Sequence, residues 1–412
     1  MKAKSFSIPK TLVYEAYLRV KANRGAAGVD HQSIDDFEKE LKNNLYKVWN
    51  RMSSGTYFPP AVKAVEIPKK SGGVRVLGIP TVADRVAQMV IKLQLEPQLE
   101  PTFYDDSYGY RPRKSAHDAV RVTQQRCWQT DWVLEFDVKG LFDNIPHELI
   151  LKALNHHVEC RWTNLHVQRW LEAPISKDGV TTTRTKGTPQ GGVISPLLAN
   201  LFMHYAFDRW ITDKFPHNKW CRYADDGLVH CKSYAEAKVI YEELKKRLES
   251  CGIEIHPAKT KIIYCRDSRR RREWGEVKFD FLGFTFRPRL VRNRQSANNF
   301  LGFTPGMSRS STKSINQIIR TMRHRVDLSL DQLAEWINPK MRGWINYYGK
   351  FNRASLYKII RQLHKTLVAW AKIKFKKLRC KTARAGQFLQ AVMRRNPRLF
   401  YHWAIGMRAG FA

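Results

Sequence analysis

Acidic residues almost vanish from the last third of this chain. Of its 412 residues, 72 are Lys or Arg and 37 are Asp or Glu, a formal net charge of +35. Residues 287–412 hold 27 of the cations against three acids, Asp327, Asp331 and Glu335, and so carry +24 of that excess. A solvated face does not need so few acids over such a length. A polyanionic partner explains the imbalance better, and nucleic acid is the polyanion it suits. Paired cysteines are also missing. The seven cysteines lie at 127, 160, 221, 231, 251, 265 and 380, with no Cys-x-x-Cys spacing. That argues against a zinc site and for a reducing compartment. No apolar run approaches membrane-spanning length, and residues 1–10 lack the apolar core of a signal peptide. The length allows two or three packed units.

What is present centres on Cys221-Arg222-Tyr223-Ala224-Asp225-Asp226-Gly227-Leu228-Val229-His230-Cys231. Two adjacent aspartates separate runs rich in strand formers, and a β-hairpin with Ala224-Asp225-Asp226 at its turn is the simplest fold for that pattern. Neighbouring carboxylates repel unless cations lie between them. Magnesium takes oxygen ligands and keeps positions open for phosphate oxygens. Alone, the pair reads equally well as a solvated acidic turn. A third acid tips the balance, because Val133-Leu134-Glu135-Phe136-Asp137-Val138 is a strand pattern that can bring Asp137 beside Asp225. Two ions held about 3.5–4 Å apart by such carboxylates align an attacking hydroxyl with a leaving pyrophosphate. Between these elements lies Lys186-Gly187-Thr188-Pro189-Gln190-Gly191-Gly192-Val193-Ile194-Ser195-Pro196, with glycines for close backbone approach and a helix cap followed by a first-turn proline.

Phe136-Asp137-Val138 with Phe142-Asp143, then Thr188-Pro189-Gln190-Gly191-Gly192 with Ser195-Pro196-Leu197-Leu198-Ala199-Asn200, then Tyr223-Ala224-Asp225-Asp226, resemble in that order the palm of a reverse transcriptase. More narrowly, the chain resembles the reverse transcriptase/maturases encoded by group II introns. Met341-Arg342-Gly343-Trp344-Ile345-Asn346-Tyr347-Tyr348-Gly349-Lys350-Phe351 resembles their maturase signature, which separates them from retron, diversity-generating and retroviral relatives. The resemblance covers nearly the whole chain. It implies an α/β right-hand polymerase fold (fingers–palm) with a helical N-terminal extension and an all-α C-terminal thumb/maturase domain. The expected division is 1–60 for the extension, 61–286 for fingers and palm, 287–312 for a linker and 313–412 for the thumb/maturase domain. The implied reaction is attack of a primer 3′-hydroxyl on the α-phosphate of a dNTP, directed by an RNA template. The implied cofactor is Mg2+, two ions with Mn2+ able to substitute, held by Asp137, Val138, Asp225 and Asp226. The implied partners are group II intron RNA, an RNA template with a DNA primer, target DNA and dNTPs, with a homodimer allowed and no membrane. The expected setting is the bacterial cytoplasm.

Residue roles follow from the same resemblance. Lys259, with Lys261 as second choice, is expected to protonate departing pyrophosphate. Lys69 and Arg75, on either side of the glycines in the hairpin pattern 65–80, are expected to hold nucleotide phosphates. Phe142, five positions after Asp137, is expected to lie under the sugar and exclude a 2′-hydroxyl, which favours dNTPs. Gln190 and Gly191 are expected at the templating base pair, and Asp143 as a helix cap. In Ser107-Tyr108-Gly109-Tyr110-Arg111, aromatics interleave with cations as strand binding requires; Arg111 is expected to contact template or nucleotide, and Tyr108 and Tyr110 to pack. Phe281 and Gly283 resemble the primer grip. Arg24, Arg342, Lys376 and Lys377 are expected to meet intron RNA. After Trp403 no room is expected for a DNA-binding or His-Asn-His endonuclease domain. The competing functions are a splicing-only RNA-binding maturase and a host-defence reverse transcriptase of intron ancestry; Phe142 disfavours an RNA-dependent RNA polymerase.

Local structure is expected as follows. Thr81–Leu95 reads as a helix stopped near Pro97, Tyr234–Ser250 as an amphipathic helix, and a C-terminal helix begins at Asn338-Pro339. The polar stretch from Arg287 to Ser311, with Pro288 and Pro305, reads as the linker.

Overall fold

The computed structural model of the chain describes residues 6–68, 72–292 and 298–411. The chain forms two compact units, Met1–Ala119 with Trp132–Ile262, and Val120–Asp131 with Ile263–Ala412.

In the first unit, helix Lys10–Ala22 buries Val13, Ala16, Tyr17 and Val20, an i, i+3, i+4, i+7 stripe. Ser33 opens the next helix, Ile34–Lys39, with a capping box to Asp36, and Leu41–Ser53 follows. Helix Val82–Leu99 starts one residue after the expected Thr81, which caps it, and runs on past Pro97 to Leu99. Leu95 and Leu99 are both buried in its last turns, and their packing outweighs the hydrogen bond that Pro97 cannot make.

Eight strands lie in or lead out of this unit among the described residues: β1 (Val62–Pro68), β2 (Val74–Ile79), β3 (Trp132–Asp137), β4 (Ile175–Lys177), β5 (Val180–Thr182), β6 (Trp220–Tyr223), β7 (Asp226–Cys231) and β8 (Lys261–Tyr264). The outer sheet has the order β2-β1-β4-β5, and its β1–β2 hairpin pairs Ile67 with Arg75 and Pro68 with Val74. The inner sheet has the order β6-β7-β3-β8. Strands β3 and β7 are buried along almost their full length, which requires cover on both faces. Helix Tyr234–Ser250 buries Ala237, Ile240, Leu244 and Leu248. On β3, Phe136 packs its ring 4.8 Å from that of Phe207, within a π-helical turn at His204–Asp208.

The second unit departs from the sequence reading at its start. The described residues of 287–312 are no linker. β9 (Phe279–Phe281), β10 (Phe284–Arg292) and β11 (Asn299–Met307) form a sheet of order β11-β10-β9, in register from Phe284 opposite Met307 to Arg292 opposite Asn299. The two prolines fit because each has a free flank. Pro288 lies beyond the end of short β9, which pairs only with Phe284–Phe286, and Pro305 is on edge strand β11. Phe284, Phe286 and Phe303 are fully buried, so the polar composition conceals an apolar inner face. This sheet belongs with the C-terminal helices: Tyr347 donates to the Leu282 carbonyl at 2.8 Å, and Phe284 packs on Tyr347, Tyr348 and Phe351. The second compact unit takes in this sheet, resuming at Ile263 after the first unit ends at Ile262.

Helices Arg309–Thr321, Leu330–Tyr348, Arg353–Lys374 and Thr382–Arg395 then enclose a core that includes Ile319, Leu333, Ile360, Leu363, Trp370, Phe400 and Trp403. No helix starts at Pro339; Leu330–Tyr348 runs through it from a Ser329/Gln332 capping box. Pro339 and Glu335 are both exposed, so the carbonyl that loses its bond can reach water. No helix among the described residues is long and apolar enough to cross a membrane.

Candidate active site

Three carboxylates meet where β3, β6 and β7 end. Asp137 is the last residue of β3 and stands directly opposite Asp226, the first of β7. Tyr223 also pairs with Asp226, which leaves Ala224 and Asp225 as a two-residue hairpin loop. Ala224 takes the positive φ (57°) that such a loop needs at its first position. Asp226 therefore belongs to the strand and only Asp225 to the turn. The backbone N–H of Val138 donates to the Asp225 carbonyl at 3.3 Å, which ties the β3 end to the loop.

The electrostatics are those of crowded, partly buried acids that nearby cations offset only in part. Burial, then the charges of Asp225 and Asp137, push the Asp226 carboxyl up to about 7, and it hydrogen-bonds Asp137. Burial also raises Asp225, with Asp137 adding to it and Arg75 and Lys259 opposing. Lys259, in a 3₁₀ turn at Pro257–Lys259, donates from Nζ to Asp137 Oδ2 at 2.8 Å. Partial burial lowers its pKa, but the Asp137 hydrogen bond and the three carboxylate charges more than offset that, for a net rise. Among the described residues no three His, Cys, Asp or Glu side chains already close into a metal cage. Asp137 is turned onto the Lys259 ammonium. Partly desolvated all-oxygen donors with a cationic side chain drawn among them fit a divalent metal site.

Beneath the loop, Arg222 and Asp208 form a fully buried ion pair, with Nη2 to Oδ2 at 2.6 Å. The Arg222 guanidinium also holds the Ala224 carbonyl, Asn200 and Ser107. Asn200 in turn donates to the Gly109 carbonyl at 2.7 Å. The sequence reading used Arg222 only as a strand former. An arginine inside an otherwise apolar strand was the available signal.

The Gly-rich loop is pinned from two sides. Gly78 of β2 donates to the Gln190 carbonyl at 2.8 Å, and the Gln190 amide donates to both Asp143 carboxylate oxygens at 2.9 and 3.0 Å. Asp143 thus anchors Gln190 as well as lying in the helix Leu141–Asn144. Gly191 has a φ of 121°, and a Cβ there would sit 2.6 Å from the Gly78 carbonyl oxygen. Close approach of β2 explains this glycine without any template contact. From the helix side, Gln88 Oε1 accepts from Val193 N (2.8 Å) and Ile194 N (3.3 Å), while its amide donates to Asp84.

The other expected residues separate. Arg75 is exposed on β2, near enough to Asp225 to oppose its pKa rise. Lys69 lies outside the described residues. Phe142 is buried, 9% exposed, and its carbonyl accepts from Thr188 at 2.6 Å. Arg111 needs correction. It is 9% exposed and spends its guanidinium on Glu100 and on the Tyr104, Ser107 and Phe103 carbonyls, so it braces the segment and has no donor aimed at a ligand. Its neighbour Tyr110, expected to pack, is the exposed one. Phe281 and Gly283 are in the second unit; Phe281 is core, and Gly283 forms a tight turn with Leu282, both at positive φ. Arg24, Arg342, Lys376 and Lys377 are all exposed, with Arg342 over the Tyr401 ring.

Comparisons with known proteins place the chain in a family. A family profile described as "Reverse transcriptase (RNA-dependent DNA polymerase)" matches residues 67–286, and one described as "Group II intron, maturase-specific domain" matches 312–388. The group II intron-encoded protein LtrA of Lactococcus lactis is 32% identical over 80% of this chain, and the chain spans 61% of that protein. Protein YkfC of Escherichia coli is 30% identical over 61% of this chain and 78% of its own length. A solved telomerase from Candida albicans, in complex with a fragment of telomeric RNA, covers 91% of this chain and 68% of its own at 12% identity and a TM-score of 0.47, too loose a likeness to argue from. This chain belongs to the reverse transcriptases, RNA-directed DNA polymerases, and within them to the group II intron type that carries a maturase-specific domain.

Proposed function

We propose that this chain copies RNA into DNA at the Asp137, Asp225 and Asp226 cluster, and that its basic C-terminal region binds the parent group II intron RNA to assist splicing and retrohoming. One observation carries the first half: Asp137 lies directly opposite Asp226 across the β3–β7 pair, with Asp225 in the adjoining loop. The maturase-specific match and the scarcity of acids after residue 287 support the second.

Bound divalent cations, Mg2+ by the all-oxygen donor set with Mn2+ able to substitute, supply the phosphate-activating chemistry, and the three aspartates with the Val138 carbonyl would hold them. The protein's own groups do the rest. Lys259, kept protonated by its carboxylate neighbours, offers a proton to departing pyrophosphate. Arg75 meets the triphosphate as a fixed cation. Phe142 backs the sugar site and disfavours a 2′-hydroxyl, while Gln190, held by Asp143, borders the templating pair. Arg24, Arg342, Lys376 and Lys377 present cations to intron RNA.

Primer extension on poly(rA)/oligo(dT) with dTTP and magnesium tests the reading. The native protein should extend, and Asp225→Ala should lose extension while still binding intron RNA. A native protein that binds intron RNA tightly but never extends would replace this reading with the splicing-only maturase. Splicing of the parent intron, with and without the protein, tests the maturase half separately.

A further inference from the structure

Residues 107–110 are fastened to the carboxylate hairpin more tightly than a packing segment requires. Ser107 bridges to Arg222, Tyr108 N donates to the Arg222 carbonyl at 2.9 Å, and Arg222 N donates to the Asp106 carbonyl at 2.9 Å. Gly109 lies so close that a Cβ would meet Ala224 N at 2.5 Å. On the far side, Arg111 is locked by Glu100 at 2.8 Å. Between these anchors Tyr110 is forced to a φ of 57°, the left-handed region that a bulky residue occupies only under constraint.

That constraint places Tyr110 in the open. It is 54% exposed, and its ring meets the edge of Phe142 at 6.4 Å and 84°. Phe142 is the covered ring of the two. Burial of the inner part of Tyr110, then the charge of Asp225, raise its hydroxyl pKa, so it stays a neutral donor at physiological pH. A tyrosine needed only for packing gains nothing from a strained backbone that leaves half its surface in water.

We propose that Tyr110 is a nucleotide-contacting residue: its ring forms the outer wall of the pocket for the incoming deoxynucleoside triphosphate, with Phe142 as the inner wall. The proposal rests on the assignment of the nucleotide site to the Asp225 cluster. Stacking of an aromatic face on a base tolerates any sequence, which suits a polymerase that must accept all four nucleotides. Phe142 sets the depth of the pocket, and Tyr110 sets its mouth.

Steady-state primer extension on poly(rA)/oligo(dT) with magnesium tests this with three variants. Tyr110→Asn removes the ring and suits a positive φ, so it should melt no lower than the native protein. Its KM for dTTP should rise about tenfold while kcat changes little, the loss of a contact worth about 1.4 kcal/mol. Tyr110→Phe keeps the ring and should hold KM within about twofold of native. A native KM in Tyr110→Asn overturns the proposal, as does a drop in melting temperature and kcat with KM unchanged, which would mark a purely structural residue. Phe142→Val separates this from the underlying reading. If it admits UTP while Tyr110→Asn keeps a native KM, only the Tyr110 inference fails. If Tyr110→Asn raises KM while Phe142→Val leaves sugar selection unchanged, Tyr110 stands and the Phe142 role falls. A native protein that extends no primer overturns both.

Discussion

Replacing Arg222 by Met should be among the most damaging single changes outside the carboxylates. Arg222 and Asp208 are both fully buried. The guanidinium gives two bonds to the Asp208 carboxylate (2.7 and 2.6 Å), one to Ser107 Oγ (2.9 Å), one to Asn200 Oδ1 (3.1 Å) and one to the Ala224 carbonyl (3.0 Å). Methionine keeps much of the stem volume but leaves the buried Asp208 carboxylate without its cation. Protonating an ordinary carboxyl at pH 7 costs about 4 kcal/mol. That agrees with the about 3–5 kcal/mol typical of removing one partner of a buried pair. Urea denaturation at pH 7 should show a loss of this size. Arg222→Met with Asp208→Leu should regain at least half of it, because the orphaned charge is gone. The double variant should still extend primers poorly, since the Ala224 carbonyl, beside Asp225, then loses its Arg222 donor. A loss below about 1 kcal/mol, or a double variant no more stable than the single, would refute the idea that this ion pair supports the loop.

Two further outcomes rest on the neighbouring buried groups. Asp84 is held near pH 6 by burial, even though Tyr57, Trp170 and Gln88 all donate to it. Its folded value lies above the unfolded one, so its contribution is full below pH 4 and is lost as pH rises through about 6. Relative to Asp84→Asn, the native protein should lose about 3 kcal/mol across that window and stay level above it, read by urea unfolding at a series of pH values; a constant difference would contradict the assignment. Gln88→Leu removes the acceptor of the Val193 and Ile194 amides, which should cost about 2 kcal/mol and raise KM for dNTP. Thermal unfolding and primer extension check both, and an unchanged KM would mean that the Gly-rich loop is positioned without Gln88.

Much of the palm chemistry was legible in the chain, because strand ends, turns and helix caps are written over a few residues. Asp137 at a strand end, the hairpin around Asp225 and the helix over Tyr234–Ser250 all depend on local pattern and appear where that pattern put them, except that Asp226 belongs to the strand instead of the turn. The polar stretch after Arg287 was misread for the same reason. Local composition registers its prolines and asparagines, but not that Pro288 lies past the end of β9 and Pro305 on an edge strand. The helices through Pro97 and Pro339 repeat the lesson: a proline's cost is local, and whether packing outweighs it is not.

The division of labour between Arg111 and Tyr110 belongs wholly to tertiary structure. Both sit in one motif, and composition favours the arginine as the ligand contact. Only the positions of Glu100 and of the Tyr104 and Ser107 carbonyls turn its charge inward, while the tyrosine is left exposed beside Phe142. Arg222 with Asp208, and Gln88 with Val193, are likewise pairings between distant segments. Sequence by itself gave the order of the parts and, through the resemblance of its motifs to a reverse transcriptase palm, the chemistry to expect, since those motifs are written in short runs of residues. Which polar groups are spent on one another inside the protein, and which remain free to meet a substrate, was decided by the folded chain alone, because burial is a property of all the segments that surround a residue.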